Sequence, residues 1–281
     1  MLPVRRNLHF NLNSSSVSDW HEQGPYLTQF INAMSIFFPE GERYFIHTVR
    51  QYADRVTDPD LRKAVTAFIG QEAMHGREHD EYNRLLTEAG LPAEQVEAHV
   101  AAFLNLLKEK LPPAAQLSVT IAQEHFTAIL SELVLTDPRL IAGADRRLSS
   151  LWRWHALEET EHKAVAFDVY ESVVGRGVRA YMLRTTSMVL TTAGFLGLVL
   201  FYQQRLLKAD DQRRRTDRQS RGLGRFVNFM FRSPALLPRL AMPWLSYFRP
   251  GFHPWDHDNR YLLEQMSDLV AEAEGYRREA A

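Results

Sequence analysis

At 281 residues the chain is long enough for one large domain with a substantial buried core. Its 45% hydrophobic and 24% charged content is that of an ordinary globular protein, and a formal net charge of −1 removes the whole-chain field that marks nucleic-acid binders. Cysteine is absent, which excludes disulfides, thiolate zinc sites, iron–sulfur clusters and cysteine nucleophiles, and leaves any transition metal to carboxylates and eleven histidines.

The amino terminus, MLPVRRNLHFNLNSSS, starts basic, but no apolar run follows it. No secretory signal is evident, so the expected location is the cytoplasm. Residues 1–25 read as an irregular lead-in ending in Gly24-Pro25. Apolar residues from Tyr26 to Phe38 suggest a short helix interrupted at Pro39, where a second helix restarts and carries Glu42, Phe45, Val49 and Tyr52. The next helix has clear signals: Asp58 as N-cap, Pro59 in the first turn, and Gly90-Leu91-Pro92 at the end. A shorter helix follows over 93–109. Pro112-Pro113 opens another that runs to Thr136-Asp137-Pro138, and a long one is expected from about Asp145 to Gly175. A very apolar helix occupies 178–207, the stretch 205–225 is polar and basic, and a final amphipathic helix lies over roughly 258–278. No period-two pattern is sustained, so the class is all-α. The whole chain is read as one domain, 1–281, with a helical bundle over 26–176 and an extension over 177–281.

The middle of each long helix carries the chemistry. Steps of four and three residues along 58–89 give Leu61, Val65, Phe68, Glu72, His75, His79, Tyr82 and Leu86. Along 145–175 they give Leu148, Trp152, His155, Glu159, His162, Ala166, Val169 and Val173. Such a stripe is the face a bundle helix turns to its partners, and here its centre is Glu and His. Burying an unpaired carboxylate costs several kcal/mol, and a metal ion supplies the compensating charge. The i, i+3 spacing of Glu72/His75 and Glu159/His162 lets each pair reach one side of a metal. Two other helices each add one carboxylate: Glu42 in phase with Phe45 and Val49, and Glu124 in phase with Leu117, Ile121 and Ala128. One Glu from each of two helices plus Glu-x-x-His from each of two others is the ligand set of ferritin-like di-metal carboxylate proteins. The expected fold is therefore a ferritin-like four-helix bundle with extra C-terminal helices, holding two metal ions. Carboxylates and imidazoles in this ratio suit iron, or manganese, better than copper or calcium.

The chain resembles the bacterial family described as "predicted metal-dependent hydrolase" over most of its length. The resemblance rests on Phe37-Phe38-Pro39-Glu40-Gly41-Glu42-Arg43, Gln71-Glu72-Ala73-Met74-His75, Trp154-His155-Ala156-Leu157-Glu158-Glu159 and Phe252-His253-Pro254-Trp255-Asp256. Locally, His155-x-x-x-Glu159-x-x-His162 is similar to the ligand helix of the di-iron arylamine N-oxygenases, which implies His155 as a seventh ligand; the alternative is a hydrogen bond from His155 to Glu159. His79 reads as a hydrogen-bonding or core histidine.

The leading expectation from these residues is a di-iron oxidoreductase that uses O2 as co-substrate and an electron donor to oxidise an apolar or aromatic small molecule. Glu42, Glu72, His75, Glu124, His155, Glu159 and His162 would hold the metal. The alternatives are a hydrolase in which metal lowers the pKa of water, and a non-enzymatic iron-binding protein. Phe45, Phe68, Tyr82, Phe126, Trp152, Trp154 and Phe167 are candidates to line an apolar pocket. Thr185 to Gln204 contains no charged residue, approaching the length of a membrane span. Eight Lys/Arg against three Asp follow between Arg205 and Arg225. Peripheral membrane contact through 185–225 is thus one reading, and a helix packed on the bundle is the other. A homodimer, and a loop or second metal site at His253 and His257, are further expectations.

Overall fold

The structure, a computed structural model, describes residues 2–13, 16–214 and 219–279, and side chains outside 211–221. Helices α1 (Pro25–Arg50), α2 (Pro59–Glu88), α3 (Ala93–Lys110), α4 (Pro113–Thr136), α5 (Arg146–His162), α6 (Val165–Val173), α7 (Val178–Arg214), α8 (Gln219–Phe231), α9 (Leu236–Ser246) and α10 (Met266–Glu279) follow in order. No strand forms among the described residues, where an isolated bridge joins His21 to Ala144. The all-α class is as expected. α1 packs on α2, α4 packs on α5, and α7 lies across α1 and α4.

Two of the boundaries that differ from the sequence pattern lie in helices that carry the polar cluster. Pro39 does not divide a helix; α1 runs through it without a break. A helical proline leaves the carbonyl four residues back without its N–H partner, here Ser35. The Asn83 amide of α2 donates to that carbonyl at 3.3 Å, so the defect becomes an α1–α2 link. Gly76 on α2 permits the close approach: a Cβ there would lie 3.2 Å from Glu42 Oε2 and 3.9 Å from Pro39 Cα. The second difference is the helix expected over 145–175, which breaks at Lys163-Ala164 into α5 and α6. No glycine or proline marks the break. Lys163 is buried beside it, its ammonium donating to the His257 carbonyl and Asn259 Oδ1 and lying 4.1 Å from the Trp255 ring centroid. Tertiary contacts thus hold the turn.

The core is in two apolar halves. One gathers Phe30, Ile36, Tyr82, Leu86, Trp152 and Trp154; the other gathers Phe45, Val49, Phe68, Ile121, Val165 and Val169. On α1, α2, α4 and α5–α6 the sequence passes from one half to the other across residues 42, 72–79, 124 and 155–162. The irregular lead-in is packed rather than loose, since Leu8, Phe10, Val17 and Trp20 are buried and the Phe10 ring lies 5.5 Å from that of Trp154. α7 buries Ala180, Met188, Val199, Tyr202 and Leu206 and exposes Met182, Val189, Leu190, Leu200 and Phe201. By length and composition, Val178–Asp210 is apolar enough to cross a membrane. Most of the basic stretch within 205–225 lies outside the described side chains.

Replacing Asn83 with Ala should cost about 1–3 kcal/mol, the cost of leaving a buried carbonyl unpaired. Pro39→Ala restores a local N–H donor, so the double variant should lose clearly less than the sum of the two single changes, read by denaturant unfolding.

Candidate metal centre

Glu42 comes from α1, Glu72 and His75 from α2, Glu124 from α4, and His155, Glu159 and His162 from α5. None is more than 3% exposed. All seven residues expected from the sequence therefore meet in one buried cluster. Three donor groups have ligand atoms within 4.8 Å of one another: Glu42/His75/His155, Glu72/His75/Glu159 and Glu72/Glu124/His162. Glu72 and His75 each belong to two of these groups. Glu159 Oε1 lies 3.0 Å from His155 Nε2, 3.5 Å from His162 Nε2 and 3.9 Å from His75 Nδ1. Glu72 Oε1 lies 3.1 Å from His162 Nε2 and 3.9 Å from His75 Nδ1.

Each histidine is oriented by a partner on its outer side. The Gln71 amide donates both ways, to the Val4 carbonyl and Glu161 Oε2, so its Oε1 must accept from His162 Nδ1 at 3.0 Å. His162 Nε2 then faces Glu72 Oε1 at 3.1 Å and Glu124 Oε2 at 3.6 Å. His75 Nε2 lies 3.1 Å from Glu158 Oε2, and Arg6 holds Glu158 and Glu161 together. Burial pushes the Glu158 carboxyl up to about 7 against the pull of Arg6.

The tautomer of His155 is set by a longer relay. A carbonyl only accepts, so Asn83 must turn its NH2 toward Ser35 O and its Oδ1 toward Ser35 Oγ. Ser35 donates its one hydroxyl proton to Asn83, so it accepts from His79 Nδ1 at 2.9 Å. Burial, followed by the neighbouring His155, holds His79 well below the usual histidine range, so it carries one ring proton. Its Nε2 therefore accepts from His155 Nδ1 at 2.9 Å, which turns His155 Nε2 toward Glu159 Oε1 at 3.0 Å and Glu42 Oε1 at 3.9 Å. Only a proton or a cation can satisfy carboxylate oxygens and an imidazole nitrogen that face one another in this way.

The donor set fits a metal pair. Both oxygens of Glu42, Glu72 and Glu124, with His75 Nδ1 and His162 Nε2, are buried with no hydrogen-bond partner. Buried polar atoms are nearly always satisfied, and here eight unsatisfied ones converge. Burial raises Glu42, Glu72 and Glu124 well above the usual carboxylate range, reinforced by neighbouring carboxylates. Burial would raise Glu159 too, but His162 and His155 pull it well below. Burial, then His155, holds His75 low and thus able to ligate.

Several orienting residues were not singled out from sequence: Arg6, Ser35, Gln71, Asn83, Glu158 and Glu161. The doublets Glu158-Glu159 and Glu161-His162 were the available signal. Neighbouring residues on a helix point about 100° apart, so one member turns inward while the other meets the lead-in segment. His79 is hydrogen-bonded to Ser35 and His155, as its sequence reading held. His253 pairs with Asp168 and His257 with Glu132, each on a different element, which favours the loop reading over a second metal site. Of the aromatics proposed for a pocket, Phe45, Trp152 and Phe167 line cavities, while Phe68, Tyr82 and Trp154 are fully buried core.

Glu72→Gln should raise the stability of the metal-stripped protein by about 1–3 kcal/mol, because it removes a buried acid without a partner. The same change should lower bound metal by most of its wild-type content. Thermal unfolding with and without added metal, alongside elemental analysis, reads both effects.

Residues 4–258 match the sequence model of a family described as "predicted metal-dependent hydrolase". No match was found among curated proteins or among solved structures. The family description overturns the expectation of an O2-activating oxidoreductase. The physical reason is that a Glu/His set able to bind iron for O2 chemistry binds Lewis-acidic metals equally well, so the ligands never separated the two. With the match spanning nearly its whole length, the chain belongs to the family of predicted metal-dependent hydrolases.

Proposed function

We propose that this protein is a dinuclear metal-dependent hydrolase in which Glu42, Glu72, His75, Glu124, His155, Glu159 and His162 hold two metal ions. The observation that carries the reading is the convergence of unpaired carboxylate oxygens and inward-facing imidazole nitrogens on one buried point. One Glu from each of α1 and α4 with Glu-x-x-His from each of α2 and α5 is also the donor arrangement of ferritin-like carboxylate proteins. Its oxygen-rich, nitrogen-containing composition favours iron or manganese. When bound, such ions lower the pKa of water toward neutrality and polarise a substrate oxygen.

The chain's own residues supply the setting. Glu72 belongs to two of the donor groups, and Glu159 Oε1 lies within 4 Å of all three inward imidazoles, so both carboxylates would help hold the ions. Arg6, Glu158, Gln71 and the Asn83–Ser35–His79 relay keep the three imidazoles aimed inward, so no reorganisation is needed at the moment of reaction. Glu42 borders a cavity of about 380 Å³ whose walls include Phe38, Phe45 and Thr127. Thr127 donates its hydroxyl to Glu159 Oε2, tying the cavity wall to the centre. The apolar walls keep bulk water from the acyl group, and the substrate bond is presented on the Glu42 side. Hydrolysis of an ester adds the oxygen of one water to the carbonyl carbon and breaks the bond to the leaving oxygen. One proton goes to the departing alkoxide, and no oxidant or reductant is consumed.

Metal-replete protein should cleave simple carboxylic esters under strictly anaerobic conditions, and chelation should abolish the activity. Glu159→Gln should lower kcat/KM by at least about a hundredfold, as loss of a metal-positioning group does. Ester cleavage that survives both chelation and this substitution would sink the proposal.

A further inference from the structure

The cavity beside Glu42 lies between α1, α3, α4 and α7. Its lining includes Phe38, Phe45, Leu107, Val119, Phe195 and Leu198, and Glu42 is the one Asp, Glu, Lys, Arg or His among the residues that line it. Two of its hydroxyls are already engaged, Tyr44 with the Gln116 carbonyl and Ser187 with Ser118. With no cation on the wall, an anionic group along its length would lose hydration without gaining a partner. The walls therefore suit an uncharged, apolar occupant.

Shape narrows the choice further. The lining follows α7 from Leu183 to Leu198 and α4 from Ala115 to Thr127, a run of ~20 Å at 1.5 Å per residue. On α4 and α7 the lining residues recur at three- or four-residue steps along one helix face, so the cavity is extended in one direction, a shape that suits an outstretched hydrocarbon chain. Phe103 and Leu190 both line the cavity and are exposed, at 42% and 67%, so it opens to the surface through an apolar rim.

We propose that the substrate carries a single unbranched hydrocarbon chain, which lies in this cavity along α7 and brings an uncharged ester or amide group against Glu42. The ester or amide part rests on the hydrolase reading; the chain-binding part rests on the cavity alone.

Binding is tested on the metal-replete protein with the methyl ester of a long, unbranched polyene acid, whose fluorescence rises in an apolar site. Linear alkyl methyl esters and an anthracene carboxylic methyl ester serve as competitors. Gly194→Phe plugs the opening, at a position where an added Cβ meets nothing within 4 Å, and Val119→Phe fills the wall on α4. The expected result is one probe per chain, displaced by the linear esters and not by the anthracene ester. Each variant should weaken binding at least about tenfold while bound metal and helical circular dichroism stay at wild-type levels. Unchanged binding in both variants, or equal displacement by the fused-ring ester, would overturn the proposal. Probe that binds in this manner but is never cleaved upholds the chain site and counts against the hydrolase reading. Cleavage of short esters with no probe binding does the reverse.

Discussion

Four carboxylates buried at the middle of an apolar core govern this structure. A side chain that is charged in water loses several kcal/mol of hydration when enclosed, and four of one sign at a common point repel as well. Glu42, Glu72 and Glu124 answer by shifting well above the usual carboxylate range, and their oxygens have no hydrogen-bond partner. The core is accordingly divided at this level into two apolar halves, with the polar cluster between them. Such a centre is a poor way to stabilise a fold and a good way to hold cations.

The surrounding residues resolve the second problem of a metal site, which is aim. An imidazole has two nitrogens, and only the one without a proton can ligate. Three separate devices hold the proton on the outer nitrogen: the Gln71 amide, the Arg6–Glu158 pair, and the relay from Asn83 through Ser35 and His79. The last begins at Pro39, whose missing N–H frees the Ser35 carbonyl that orients Asn83. A helix defect and a histidine tautomer are thereby coupled across several hydrogen bonds. The lead-in segment contributes as well, since Val4 and Arg6 hold the outer partners in place.

Donors of this type do not choose a reaction; their surroundings do. An aqueous ion in this site has an elongated apolar cavity on the Glu42 side and a smaller apolar pocket of about 70 Å³ beside His155, with Phe38 and Thr127 common to both walls. Family membership as a predicted metal-dependent hydrolase fits chemistry in which metal activates water and the protein selects the substrate by its apolar part.

The all-α class and the seven clustered residues were legible in sequence because helical periodicity links position to direction: a Glu or His in phase with Phe68, Ile121 or Trp152 must point inward with them. The absence of cysteine narrowed the donors to those same residue types. What periodicity cannot convey is the outer partner. Arg6, Gln71 and Glu158 lie far apart in the chain or one step off the stripe, and only packing brings them to the imidazoles. The continuity of α1 through Pro39 and the break at Lys163-Ala164 were likewise decided by tertiary contacts, through Asn83 in the first case and the Lys163 tether to the His257–Asn259 segment in the second. The width of the cavity belongs to the same class, because it is set by how far α7 stands from α1 and α4, a distance that no single helix encodes.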